Sequence, residues 1–360
     1  LRMLALFLLK CAFVCTAATQ TTYVVGGWQA QNAEIITEMV APIFQDYLTE
    51  AVGNSVTPPI KFVFKPVDLD EASDSKAMIA SGELDMIYTS AGSLTCKVSQ
   101  FSWVPLATQR NFVGSGTSGS DGLVVFSLLN NAAITKPEDL IGKKAGCGFL
   151  FSGSTYLHGY QLLLEHGVHM FRDLAQVRFH GPNYEAYFQA ILAGDLDVGF
   201  AGSAWLAKNH ASDMPRLRVL QRQNNLTYEG QPYPAVASSL TASYGLGVSN
   251  NLSWELKRKI LLALEALDAS HPAMQALKVA GWTSTASYSA SLTSLESAGV
   301  MFEDAMGRKR CRDAYSPEDI WKSIACPSDF YKVDFNTSAR QCALAGLACP
   351  AGATCFCRPC

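Results

Sequence analysis

The segment IASGELDMIYTS at residues 79–90 returns as ILAGDLDVGFAG at residues 191–202, with isoleucine, glycine, leucine and aspartate at the same places, 112 positions apart. A chain that uses one phrase twice is constrained to build one local structure twice. Each copy reads as the end of a helix, a glycine stop, a polar turn and a strand entering a sheet. Gly82 and Gly194 supply the left-handed backbone that ends a helix. Leu84, Met86, Leu196 and Val198 are expected to fill a core, and Asp85 and Asp197 to fix the turn rather than do chemistry.

The surrounding pattern has the same grammar. TYVVGGW is a β-branched and aromatic run. The apolar residues of AEIITEMVAPIFQDYLTEAV step by four, which predicts a one-sided helix that Pro42 should kink. IKFVFKPV alternates like a strand, residues 70–81 read as a helix, and LDMIY as a short buried strand. A second series follows: GLVVFSLL, a short helix and strand in KPEDLIGKKAGCG, a helix in STYLHGYQLLLEH, a strand in AQVRFHG, a helix in YEAYFQAILAG and a strand in LDVGFAG. Strand–helix alternation of this kind predicts two α/β units in tandem on largely parallel sheets.

Ligands of open α/β sheets bind beyond the carboxyl ends of the strands, where helix N-termini present unpaired N–H groups. In this chain those ends read GGWQAQN (26–32), YTSAGS (88–93), FLFSGST (149–155), HGPNYE (180–185) and AGSAW (201–205). Short hydroxyls and bare amides suit a small oxyanion or a carboxylate. N-capping alone accounts for any one such loop, but five at one edge of both units predict a binding cleft. Trp28 and Tyr88 read either as aromatic walls of that cleft or as core, and are counted here with the cleft.

With 360 residues, 49% of them apolar, the chain suits two domains and a smaller appendage, and its formal charge of −3 argues against nucleic acid as a partner. LRMLALFLLKCAFVCTAATQ reads as a secretory signal over residues 1–18. Seven of the eleven cysteines lie from Cys311 onward, which fits disulfides in an oxidising compartment. Sequons at Asn225, Asn251 and Asn336 predict a secreted glycoprotein. Cys311 and Cys326 are expected to pair across a loop of 14 residues.

The order of these elements, with ITKPEDLIGKKAG, GSTYLHGYQLLLEHGV, VRFHG and the paired G[ED]LD phrases, resembles the phosphate/phosphite/phosphonate-binding proteins of bacterial ABC transporters over residues 22–300. The resemblance implies a type II periplasmic-binding-protein fold: two Rossmann-like α/β lobes, a two-strand hinge with crossings near 122–127 and 236–247, and a ligand in the cleft. Residues 20–122 with 240–300 would form the first lobe and 123–239 the second. A linker with a disulfide (301–341) and the start of a cysteine-rich, EGF-like module (342–360) would follow.

In that family an oxyanion sits on a Ser/Thr-rich helix start, matched here by Ser152, Gly153, Ser154 and Thr155, and on a first-lobe loop, matched by Tyr88, Thr89 and Ser90. Asn183, Tyr184 and Ser203 complete the expected set. Two departures stand out. Pro182-Asn183-Tyr184 replaces the family's usual histidine, and Ala201-Gly202-Ser203-Ala204 replaces an acid that recognises a ligand amine or a protonated phosphonate.

Cys147 with His158 and His180 invites a thiol-nucleophile reading, but no local signature surrounds it. A Cys147–Cys96 disulfide would tie the lobes together and hinder closure. The expectation is a non-enzymatic domain with no cofactor and no metal, binding a small anion by cleft closure. It would stand at the extracellular face of the plasma membrane or be secreted, as a receptor ectodomain followed by a membrane-anchored signalling region. The rival readings are a nutrient scavenger for a transporter and an enzyme on the same fold, similar to pyrimidine synthases.

Overall fold

A computed structural model of the chain describes residues 21–28, 33–67, 72–148, 152–180, 183–228, 231–233, 235–312, 343–344 and 347–348. Two sheets carry the architecture. The first runs 281–284, 104–113, 245–248, 86–89, 21–28, 60–67, with a short strand at 116–118 beside 104–113. The second runs 217–220, 123–128, 198–202, 144–147, 176–179.

Parallel pairing is confined to the strand–helix units. Thr21–Trp28 pairs in parallel with both neighbours, and Lys144–Cys147 likewise. The remaining strands enter antiparallel: Gly245–Val248 against Met86–Thr89, and Leu123–Leu128 against Val198–Gly202. Both sheets are therefore mixed rather than largely parallel. The reason is long-range, since each sheet is completed by a strand that arrives from the other side of a crossing.

Both faces of each sheet are buried, as alternation requires. Leu123 and Val125 point into one core while Val124 and Phe126 point into another. In the first sheet Met86 and Tyr88 pack on one face and Ile87 on the other.

The doubled phrase folds the same way twice. Helices Ala72–Ala80 and Tyr184–Leu192 end at Gly82 (φ 74°) and Gly194 (φ 82°). Each closes with the same pair of bonds: Glu83 N–H to Met78 O (2.8 Å) and Gly82 N–H to Ile79 O (3.1 Å), then Asp195 N–H to Ala190 O (2.8 Å) and Gly194 N–H to Ile191 O (3.0 Å). Asp85 Oδ2 then accepts the Val24 N–H, and Asp197 Oδ2 the Lys144 N–H, both at 2.8 Å. Each aspartate thus ties its own strand to the neighbouring parallel one.

Pro42 does not kink a continuous α-helix. It opens a π-helical turn, Pro42–Tyr47, between α-helices Ala33–Ala41 and Leu48–Ala51, as a residue with no N–H to give breaks the regular ladder.

The chain crosses between the sheets twice. Ser120–Asp121 pairs antiparallel with Thr241–Ala242, Ser243 N–H donates to Gly119 O at 2.9 Å, and Ala237 N–H donates to Leu123 O at 2.6 Å. Helix Ser289–Ser297 packs against helices from both lobes, Ala91–Phe101 and His158–Glu165. Among the described residues no helix is long and apolar enough to cross a membrane.

Cys311 pairs with Cys96, not with Cys326. The hairpin of Met301–Glu303 and Lys309–Cys311 lies against helix Ala91–Phe101, so packing at a sequence separation of 215 decides the partner. Cys326, the third sequon at Asn336, the signal region and nearly all of the cysteine-rich tail lie outside the described residues.

Candidate functional site: an interlobe cleft

A cleft of about 320 Å³ opens between the two sheets and the crossing strands. From the first lobe come Ser90, Ala91 and Ser93, the N-terminal turn of helix Ala91–Phe101. From the second come Ser152, Gly153 and Ser154, where the helix running from Gly153 to Glu165 begins. Neither Ser90 nor Ser152 caps its own helix with its side chain. The first-turn N–H groups and the positive dipole ends of both helices are thus presented to the same space.

A third helix start, at Ser203, is occupied from within. Asp121 Oδ1 accepts from Gly122 N–H at 2.8 Å and Ala204 N–H at 3.0 Å, and the Ser154 hydroxyl also bonds its carboxylate. Burial nevertheless raises the Asp121 carboxyl above its ordinary range, against the pull of these bonds. The acid that the family places after the second LD strand is missing there, but a carboxylate reaches the same helix start from the first crossing strand. No local motif announced it.

The other charges of the lining are cationic. Lys76, Lys97, Lys208, Lys278 and Arg312 border the cleft, and Asp121 is the single acid among the described lining residues. Lys208 Nζ donates to the Lys278 carbonyl at 2.9 Å, joining the two lobes at the cleft mouth. Lys97 is 3% exposed, and burial together with the neighbouring Lys76 pushes its ammonium down to about 8. Its only hydrogen bond among the described residues runs to Ser75 Oγ at 2.9 Å.

The floor is a chain of side-chain hydrogen bonds. Tyr88 donates to Gln109 Oε1, Gln109 Nε2 donates to Asn111 Oδ1 at 2.6 Å, and Asn111 Nδ2 donates to Ser243 Oγ at 2.6 Å. Gln109 and Asn111 come from strand Val104–Val113, Tyr88 from strand Met86–Thr89, and the accepting Ser243 follows the returning crossing strand. Their polar types at strand positions were the one sequence signal available.

The expected residues divide accordingly. Ser90, Ser152, Gly153, Ser154 and Tyr184 line the cleft. Tyr88 faces the core, against Phe44, Tyr244 and Trp282, and supports Gln109 from behind. Thr89 and Thr155 are wholly buried behind the lining. Asn183 caps helix Tyr184–Leu192 by accepting Ala186 N–H at 3.1 Å. The Ser203 hydroxyl is spent on the Ala235 carbonyl. Trp28 closes its strand opposite Val67.

Cys147 is fully buried and free, and burial pushes its thiol far above the range where it could act as a nucleophile at neutral pH. His158 bonds Ser238 at 3.2 Å and burial lowers it to about 4. Among the described residues no cluster of histidine, cysteine and acids could hold a metal.

Comparison with known families matches residues 29–290 to the family described as "ABC transporter, phosphonate, periplasmic substrate-binding protein". A comparison with curated protein sequences returns no match. Among solved structures, the binding protein component of an ABC phosphonate transporter from Pseudomonas aeruginosa is similar at a TM-score of 0.51 and 15% identity, covering 74% of this chain and 82% of that one. PhnD1 from Prochlorococcus marinus, in complex with methylphosphonate, is similar at 0.53 and 13%, covering 77% and 97%. XAC2383 from Xanthomonas citri, bound to ATP, gives 0.56 and 13%, covering 77% and 98%. At these identities the likeness is one of fold, while the family match spans well over half of the residues. The chain belongs to the periplasmic phosphonate-binding family of ABC-transporter substrate-binding proteins.

Proposed function

We propose that the protein captures a small phosphonate- or phosphate-like anion in the interlobe cleft, with closure of the lobes over it as its output. One observation carries this: two helix N-termini from opposite lobes, neither capped by its own serine, line a single cleft whose other charges are mostly cationic. A hydrogen bond to a charged acceptor contributes about 1.5–3 kcal/mol net. Four or five of them, after ordering costs, support a micromolar constant, about −8 kcal/mol. Residues 20–122 with 240–300 act as one lobe and 123–239 as the other. Ser90, Ser152, Gly153 and Ser154 are the contacts.

A ligand that touches both lobes favours the closed form by its differential affinity. We read the domain as working outside the cell, in a receptor with a membrane-anchored signalling region. Asn225 and Asn251 are both exposed, as glycosylated sequons must be, and the Cys96–Cys311 bridge fits an oxidising compartment. A thermal-shift series with methylphosphonate, phosphate, sulfate and acetate tests the ligand class. Selective stabilisation by the first two is expected, and no shift with any of the four would contradict it.

A further inference from the structure

Beyond the residues matched to the family, which end at 290, the hairpin ending at Cys311 adds a wall to the cleft. Cys311 and Arg312 both line it. Three elements meet there: helix Ala72–Ala80 with Lys76, helix Ala91–Phe101 with Lys97, and the hairpin. The corner is fixed in place. The disulfide joins Cys311 to Cys96, Gln100 Nε2 donates to the Cys311 carbonyl at 2.6 Å, and Lys76 Nζ donates to the Arg312 carbonyl at 3.2 Å.

Lys97 is the informative residue. An ammonium 97% buried without a carboxylate is costly, yet no described acid pairs with it. Its amine donates to Ser75 Oγ at 2.9 Å, on the helix beside its own. Lys97 stands about one turn beyond Ser93 on the same helix, where the cleft wall meets Lys76 and the hairpin. A cleft of about 320 Å³ also exceeds what one methylphosphonate fills.

We infer that Lys97, with Lys76 beside it, forms a second anionic subsite, so that the preferred ligand carries two acidic groups, one for the paired helix N-termini and one for this corner. The inference rests on the cleft reading above and adds the ligand's second group to it. The Ser75 hydroxyl already bonded to the amine leaves its other two N–H groups for that second acid.

The test is calorimetry with methylphosphonate and phosphonoacetate, which share the phosphonate and differ by a carboxylate, against the parent and Lys97→Met. The parent should bind phosphonoacetate at least ten-fold tighter. Lys97→Met should lose that advantage, binding the two probes alike. Methionine matches the length of the buried stem, so the variant should fold, and an undiminished melting temperature checks this. Equal affinities in the parent, or an advantage that survives in Lys97→Met, would overturn the subsite and leave the cleft reading standing. Binding of neither probe would overturn both.

Discussion

Asp121 Oδ1 accepts the Ala204 N–H at 3.0 Å, so an acid from the first crossing strand caps the helix that begins at Ser203. Its carboxylate stands beside Ser154 at the cleft wall. An anion seated on the neighbouring helix start meets this charge. Asp121→Asn keeps an oxygen for the Gly122 and Ala204 N–H groups and removes the repulsion. Affinity for methylphosphonate at pH 8, where it is a dianion, should rise several-fold with the melting temperature little changed. Unchanged affinity by titration calorimetry would place the carboxylate away from the ligand.

Lys97 links the cleft to stability. Its native pKa of about 8 lies below the ordinary 10.5 because burial disfavours the charge. The penalty is full below pH 8 and fades as pH climbs through 10.5, above which the amine is neutral in both states. Lys97→Met should gain about 1–3 kcal/mol at pH 7, and the gain should disappear near pH 10.5. Urea unfolding at the two pH values measures it, and a gain of the same size at both would contradict the burial argument.

The Cys96–Cys311 bridge closes a span of 215 residues. Replacing both cysteines with serine should cost about 2–5 kcal/mol, read by urea unfolding without reductant. Peptide mapping under non-reducing conditions should recover the 96–311 pair. Recovery of a Cys311–Cys326 peptide instead would restore the pairing expected from the sequence.

Exposure at Asn225 and Asn251 predicts glycan at both when the protein is secreted from a eukaryotic cell. Glycosidase treatment should lower the mass of the intact protein, and Asn225→Gln or Asn251→Gln should each remove one glycan. A protein whose mass does not respond would argue against the extracellular reading.

The fold was legible where the determinants are local. Gly82 and Gly194 end their helices in the left-handed region, and Asp85 and Asp197 hold matching strand pairs, because each phrase contains its own helix stop and strand start. The antiparallel strands were not legible, since Gly245–Val248 and Gly281–Ser284 are placed by partners more than a hundred residues away. The site divides on the same line. Ser90 and Ser152–Ser154 stand at helix starts and could be read off, whereas Asp121, Lys97 and Gln109 reach the cleft only through tertiary packing. Tyr88 shows the limit of a strand-end argument: the pleat turns its ring toward Phe44 and Trp282, a choice of face that its neighbours in sequence do not reveal.

Gly153 offers the most direct test of anion capture at the cleft. A Cβ built there meets nothing closer than Thr241 Cγ2 at 3.9 Å, so the backbone tolerates a side chain and the space ahead of it is the cleft at the second-lobe helix start. Gly153→Leu should fill that space without disturbing either core. Titration calorimetry with methylphosphonate should give one site of micromolar affinity in the parent and at least a hundred-fold loss in Gly153→Leu, at a melting temperature within a few degrees of the parent. Undiminished binding in Gly153→Leu would contradict the account, because the anion would then not lie on the paired helix N-termini.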